Sequence, residues 1–200
     1  MRKEIKTTGL EIDVRNPRFL VCDLHCTIAD PPPPEQEWVV SPIQCLAKAV
    51  EWKPEIIVVS FWQISIRERD ALVELSAVLK RNSHTQNCAV LALLHATHRK
   101  LIEDLKRAEV DYVRCIGDAK LDLNLVGRII KDLGAGDRLD WHLERLCPFL
   151  HYSKIDSRHE MTVCRAYLDR MVLGGRRLHE LCETGGHLHC EYYKHPRCKS

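Results

Sequence analysis

Apolar residues along this chain come in two spacings. Short unbroken runs rich in β-branched side chains occupy residues 18–24 (RFLVCDL), 53–60 (KPEIIVVS), 88–94 (CAVLALL) and 110–115 (VDYVRC). Such runs read as strands buried on both faces of a parallel sheet rather than as half-exposed strands, which alternate. The run closed by Ile56-Ile57-Val58-Val59-Ser60 reads as the central strand. Between the runs, apolar positions recur every three or four residues. Ser41-Pro42 is an N-cap followed by proline at the first helical position, opening a helix to about Trp52 with Ile43, Leu46, Ala47 and Val50 inward. A second helix over 67–81 buries Ala71, Leu72, Leu75 and Val78. A third, capped by Thr97, carries Leu101, Ile102 and Leu105. A fourth over 121–133 ends at Gly134-Ala135-Gly136. With a short strand at 37–40, the alternation predicts an α/β fold with right-handed crossovers and helices on both faces.

Both ends of the chain read differently. Residues 1–17 form an N-terminal arm, with a turn at Lys6-Thr7-Thr8-Gly9-Leu10 that fits a small hairpin. Pro31-Pro32-Pro33-Pro34 forbids a regular helix between the first two strands and reads as a stiff connector. From 137 the pattern becomes one of short helices. Leu139, Leu143, Leu146 and Leu150 fall at helical spacing. Ser157 with Glu160 three residues on reads as a capping box, opening a helix through Val163, Tyr167, Leu168 and Met171 to Gly174-Gly175. A third helix is expected over 176–183. The resulting division is an arm (1–17), an α/β domain (18–134) and a small helical Cys-rich domain (137–200).

Composition narrows the function. The 30 basic and 28 acidic residues leave a formal net charge of +2, which gives no electrostatic case for nucleic acid or membrane as partner. No apolar run approaches the roughly 20 residues of a membrane span. Met1-Arg2-Lys3-Glu4-Ile5-Lys6 has no apolar segment behind its charges, so no secretory leader is read and the cytoplasm is the expected compartment. In a reducing compartment the ten cysteines are not five disulfides. Cys22, Cys45, Cys88 and Cys115 read as small buried hydrophobes in the α/β part, with Cys26 just beyond the first strand.

The order of these segments resembles the receiver domain of two-component response regulators. Residues 18–25 resemble its first strand. Lys53-Pro54-Glu55-Ile56-Ile57-Val58-Val59-Ser60 resembles the Lys-Pro-Asp and buried strand that end in the phosphoacceptor Asp. Ala108-Glu109-Val110-Asp111-Tyr112-Val113 resembles the Gly-Ala-Asp-Asp-Tyr-Leu segment. The resemblance covers a little over half the chain and implies a flavodoxin-like doubly wound sheet of order 2-1-3-4-5. It also implies a degenerate cleft. Ser60 stands at the phosphoacceptor position, Asp23 alone remains of the acidic pair, the hydroxyl position falls on Leu94 or His95, and Cys115 replaces the lysine. A serine with neither base nor metal is a poor phosphoacceptor. The expectation is a non-enzymatic pseudo-receiver that docks on protein partners. His95 and His98, three apart, are a weak metal pair in that region.

Chemistry concentrates in the tail. Cys147, Cys164, Cys182 and Cys190 are candidate metal ligands, with Cys198, His187, His189 and His195 as spares. A unit this small and this poor in large apolar side chains needs a staple, which bound metal supplies. Structural zinc sites usually present Cys-x-x-Cys pairs, and the tail has none. Single, widely spaced cysteines, one of them in Cys147-Pro148, suit a [4Fe-4S] cluster better. Zinc is the alternative, and simple burial of the thiols a third. Two functions follow: a regulatory or scaffolding protein whose centre is structural or redox-sensing, or an electron-transfer and assembly subunit of a larger complex. Nucleic-acid binding through the mildly basic tail ranks lower.

Overall fold

The computed structural model describes residues 18–26, 32–119, 121–157, 159–168 and 171–197. The N-terminal arm with its expected hairpin, and Cys198, lie outside the described residues. Five strands form a wholly parallel sheet: β1 (Phe19–Cys22), β2 (Gln36–Val39), β3 (Ile56–Phe61), β4 (Ala89–Leu94) and β5 (Tyr112–Cys115). Their order is β2-β1-β3-β4-β5, the doubly wound order expected. Every side chain of β1, β3 and β4 is buried, which explains why these segments read as unbroken apolar runs.

Five helices clothe the sheet: α1 (Pro42–Trp52), α2 (Ile66–Arg81), α3 (Arg99–Arg107), α4 (Leu123–Lys131) and α5 (Leu139–Arg145). Leu20, Ile57, Val59, Val90 and Ala92 face a core shared with α1, α2, α3 and α5. Val21, Ile56, Val58, Leu91 and Leu93 face the opposite core with Val126, Ile129 and Ile130 of α4. Helix α5 lies beyond Gly134-Ala135-Gly136, yet Leu139, Leu143 and Leu146 pack into the first core.

Several helix phases differ from the sequence reading. In α1 the inward residues are Cys45 and Ala49, and Ile43 is 82% exposed. The thiol of Cys45 fills the space beside Cys22 of β1. Helix α2 begins one residue earlier, at a reciprocal cap: Ser65 Oγ accepts from Glu68 N (3.3 Å), and Glu68 Oε2 accepts from Ser65 N (2.7 Å). Its inward face includes Ser76 and Leu79, while Ala71 is exposed. Ser76 is tolerated there because its hydroxyl donates to Leu72 O at 2.8 Å. The cap of α3 is His98, not Thr97, with His98 Nδ1 accepting from Leu101 N at 3.1 Å.

The largest correction concerns the tail, which was expected to be helical. Residues 150–172 instead carry an antiparallel sheet of β6 (Leu150–Lys154), β7 (Glu160–Cys164) and β8 (Met171–Val172). Strand-forming Tyr152 and Thr162 pair with each other, and Val163 pairs with His151. The supposed capping box is a hairpin turn. There Asp156 Oδ1 accepts from His159 N (2.9 Å), and Ile155 N donates to His159 O (2.9 Å).

Two part-buried ionic contacts fix the tail to the α/β part. Arg114 of β5 grips Asp137 in two-pronged fashion (2.7 and 2.6 Å) where the chain leaves the α/β part. Burial would raise the Asp137 carboxyl, but Arg114 and the Gly134 N–H hold it below its ordinary value. Arg69 of α2 likewise clasps Glu160 of β7 (2.6 and 2.7 Å), both side chains less than a fifth exposed. His98 completes this junction. Its Nδ1 is committed as acceptor to the α3 cap, so Nε2 carries the proton and donates to Glu160 Oε2 at 3.1 Å. The ring stacks on Tyr152 of β6 at 3.6 Å, and the Tyr152 hydroxyl accepts from Arg99 N. Arg99 also donates to Leu146 O (2.7 Å), one residue before Cys147.

The two contacts yield separate tests. Arg114→Ala removes charge-assisted hydrogen bonds from a buried carboxylate, and urea unfolding should register a loss of about 2 kcal/mol. Arg69 lowers Glu160 to about 2 against the opposing effect of burial. Burial, aided by Arg69, lowers His98 despite Glu160. Both native values lie below the unfolded ones, so the native state binds fewer protons and stability falls as pH falls. The His98 share begins to be lost below 6.5, and the Glu160 share between 4.5 and about 2. Glu160→Gln should flatten the lower limb of the stability–pH curve. Discounted for partial exposure, it should cost on the order of 2 kcal/mol at neutral pH.

Candidate metal centre

Four separate pieces of backbone deliver the tail cysteines. Cys147 follows α5, and its N–H donates to Cys182 O at 2.8 Å. Cys164 is the last residue of β7, paired with Leu150 and Met171. Cys182 ends a wide helical turn, Leu178–Cys182. Cys190 follows the 3-10 turn Gly185–His189, with its N–H on His187 O. Gly186 makes the approach of these two turns possible, since a Cβ there would lie 2.8 Å from Glu180 O.

These cysteines come together. Cys147, Cys164 and Cys182 are buried in one cluster with Leu150, Ala166 and Leu173, and Cys190 is half-buried. Cys182 feels the charge of Cys147, Cys164 and Cys190, and Cys164 that of Cys147 and Cys190. Backbone N–H groups already point at the sulfurs, Phe149 toward Cys147 and Ala166 and Tyr167 toward Cys164. The Cys182 thiol is paired with Cys147 as donor and acceptor. That contact brings Cys147 down to about 6 against burial, helped by Phe149, His187 and Arg99. The same pairing, with burial, pushes Cys182 up. Burial raises Cys164.

His187 adjoins this cluster. It is 3% exposed, its Nδ1–H donates to Thr184 O at 2.7 Å, and its ring meets Tyr193 edge-on at 5.0 Å. Fixing one ring nitrogen on a carbonyl leaves Nε2 as the available donor atom. His189 and His195 are exposed. Among the described residues, no group of three or more Cys, His, Asp or Glu side chains is arranged so as to hold a metal ion.

Asp23, Ser60, His95 and Cys115, the residues expected at a cleft, lie at or beyond the carboxyl ends of the strands but divide between the faces of the sheet. The register Cys22↔Val59 places Asp23 beside Ser60, at the β1/β3 switch point. Asp23 is 5% exposed; burial raises its carboxyl, which accepts from His25 N at 3.2 Å. Ser60 is fully buried, and its Oγ has no hydrogen-bond partner. Cys115 faces the other core and meets Thr97 Oγ1 at 3.5 Å. His95 Nδ1 donates to Gly117 O at 2.9 Å. His95 and His98 thus have separate partners. A shallow cavity of about 220 Å³ between Phe61, Leu94, His95 and Leu101 ends at Arg69 and His98.

The sequence reading missed the junction of Arg69, His98, Arg99, Tyr152 and Glu160. Arg69 and Glu160 are 91 residues apart, and no local pattern marks such a pair.

No family model and no curated protein matches this chain. Among solved structures, the chain is similar to a response regulator from Desulfuromonas acetoxidans, at 19% identity and a TM-score of 0.39. That match covers 56% of this chain and 92% of the other. It is also similar to the response regulator domain of Thermotoga maritima CheB, at 14% identity and a TM-score of 0.39, over 60% of this chain and 99% of that one.

Proposed function

We propose that this chain is a non-enzymatic regulatory or scaffolding protein of the cytosol, a pseudo-receiver that docks on protein partners. In this reading its C-terminal segment carries a [4Fe-4S] cluster on Cys147, Cys164, Cys182 and Cys190. One observation carries the reading: Cys147, Cys164 and Cys182, from three separate backbone elements, share one buried apolar cluster, and half-buried Cys190, up to 43 positions away in the sequence, lies near enough for its charge to bear on Cys164 and Cys182. The cluster would serve as a structural staple or a redox-responsive element.

Zinc is favoured by one observation, the direct pairing of Cys147 with Cys182. Thiolates about 2.3 Å from one tetrahedral ion lie close together. The absence of enzymatic phosphorylation chemistry is proposed from the cleft, where Ser60 and Asp23 are buried beside each other and Cys115 faces away. No helix of the described residues is long and apolar enough to cross a membrane.

Anaerobic purification with metal analysis and a visible spectrum tests the centre. About four irons and a broad visible charge-transfer band per chain are expected. One zinc and no colour would move the assignment to zinc, and no metal in either form would overturn the reading. Cys164→Ser and Cys182→Ser should each abolish stoichiometric metal, while Cys88→Ala, in the sheet core, should not. Incubation with acetyl phosphate and Mg²⁺ should leave no acid-labile acyl phosphate on the chain by intact-mass measurement.

A further inference from the structure

Among the described residues, strand β2 ends the sheet on its side, with β1 as its one neighbour. Two bonds fix which way its backbone points. Phe19 N donates to Glu35 O and Asp23 N to Val39 O, each at 3.0 Å, in the register Leu20↔Glu37 and Cys22↔Val39. Glu35, Glu37 and Val39 therefore turn their peptide groups toward β1, and Gln36 and Trp38, alternating with them, turn theirs outward. Pro33 O takes the Gln36 N–H at 2.9 Å. The Gln36 carbonyl and both peptide groups of Trp38 have no partner among the described residues. Such an edge is a template for another strand. The side chains beside it are incomplete as well. Trp38 packs against the core under α4, and Gln36 lies on the same face of the strand. Gln36 Oε1 and Trp38 Nε1 are shielded from solvent without a hydrogen-bond partner. On this face α4 is the one helix among the described residues that contributes to the core.

The sequence that leads into β1 has the pattern to fill both gaps. Leu10-Glu11-Ile12-Asp13-Val14-Arg15 alternates apolar and polar residues strictly, the period of a half-buried strand. Arg18 is held at the amino end of the sheet, where its carbonyl accepts from Glu55 N at 2.9 Å. A place beyond β2 lies two strand spacings from β1, about 10 Å. Val14 to Arg18 spans up to about 13 Å, enough if the segment runs toward the amino end of β2. A parallel approach would leave Val14 at the far end of four-residue β2, about 16 Å from Arg18 and out of reach. We propose that residues 10–14 pair antiparallel with the outer edge of β2 as a sixth strand, with Leu10, Ile12 and Val14 on the Trp38 face of the sheet. The segment then supplies partners to the outward peptide groups of Gln36 and Trp38, and it extends the apolar layer where a second helix is lacking. An antiparallel edge on an otherwise parallel sheet is a common arrangement. Because the segment is tethered to β1, it meets the edge at high effective concentration. Any other chain that adds a strand here has to displace it.

Nuclear magnetic resonance of the full, reduced chain tests this placement. Glu37 turns its peptide groups to β1, so on the outer side it occupies a non-hydrogen-bonded position, where the α-protons of facing residues come close. The expected result is a cross-peak between the Glu37 α-proton and that of Glu11 or Asp13. The Trp38 amide should exchange slowly with solvent deuterium. Ile12→Pro removes a donor that faces β2 in this pairing, and it should speed Trp38 exchange at least about tenfold while the amides of β3 and β4 keep their protection. A Glu37 cross-peak to Leu10, Ile12 or Val14 would put the opposite face inward and overturn the proposal. Absence of any contact between β2 and the segment, or Trp38 exchange that Ile12→Pro leaves unchanged, would overturn it too. A mixture of differently isotope-labelled chains covers the remaining case. Contacts between chains across β2 would mean that a second copy holds the edge, and the proposal would fall.

Discussion

Burial of β3 and β4 on both faces governs this structure. Such strands exclude water above and below, so they require helices on both sides. Parallel neighbours in turn require a crossover at every step. In the central strands this leaves no face for polar chemistry. Ser60 shows the cost, since its hydroxyl is sealed in without a partner. Useful polar groups can stand only where the strands end, and the carboxyl edge is where such groups collect: Asp23, His95, Thr97 and His98.

That edge is spent on holding the tail. Arg69, which lines the cavity, is neutralised by Glu160, and His98 is divided between the α3 cap and the same carboxylate. Because His98 caps α3 through an unprotonated Nδ1, its one proton must sit on Nε2. Its 3.2 Å approach to Arg69 Nη1 is therefore a contact between two donors that only the carboxylate between them makes tolerable. Removing Glu160 would leave two mutually repelling donors in a half-buried pocket, which is why this junction acts as one unit.

The sheet was legible in the sequence because fully buried strands carry their own signature, and α3 because Leu101, Ile102 and Leu105 leave little freedom of phase. Phase was less legible in α1, where apolar Ile43 lies outward and Cys45 inward. The deciding factor is the space beside Cys22, which a periodicity count does not contain. The tail misled for a different reason. Ser157 and Glu160 have the spacing of a helix cap, but Asp156 makes the turn with His159 first, and β-branched and aromatic residues around it pair across strands. A grouping of Cys147, Cys164, Cys182 and Cys190 was expected from their wide single spacing and from the few large apolar residues of the tail. Which two would touch depends on the Cys147–Cys182 backbone bond, and no spacing rule gives that.

The β6–β7 hairpin makes the tail and the α/β part interdependent. At one end Tyr152 and Glu160 enter the junction with α2 and α3. At the other, Leu150 and Cys164 form the floor of the thiol cluster. A three-stranded sheet whose third strand has two residues has little core of its own. Its order must come from whatever grips its two ends, the ion pair and stacked ring on one side and the packed sulfurs on the other. Loosening either end frees the same few strand residues, so each attachment is stronger while the other holds.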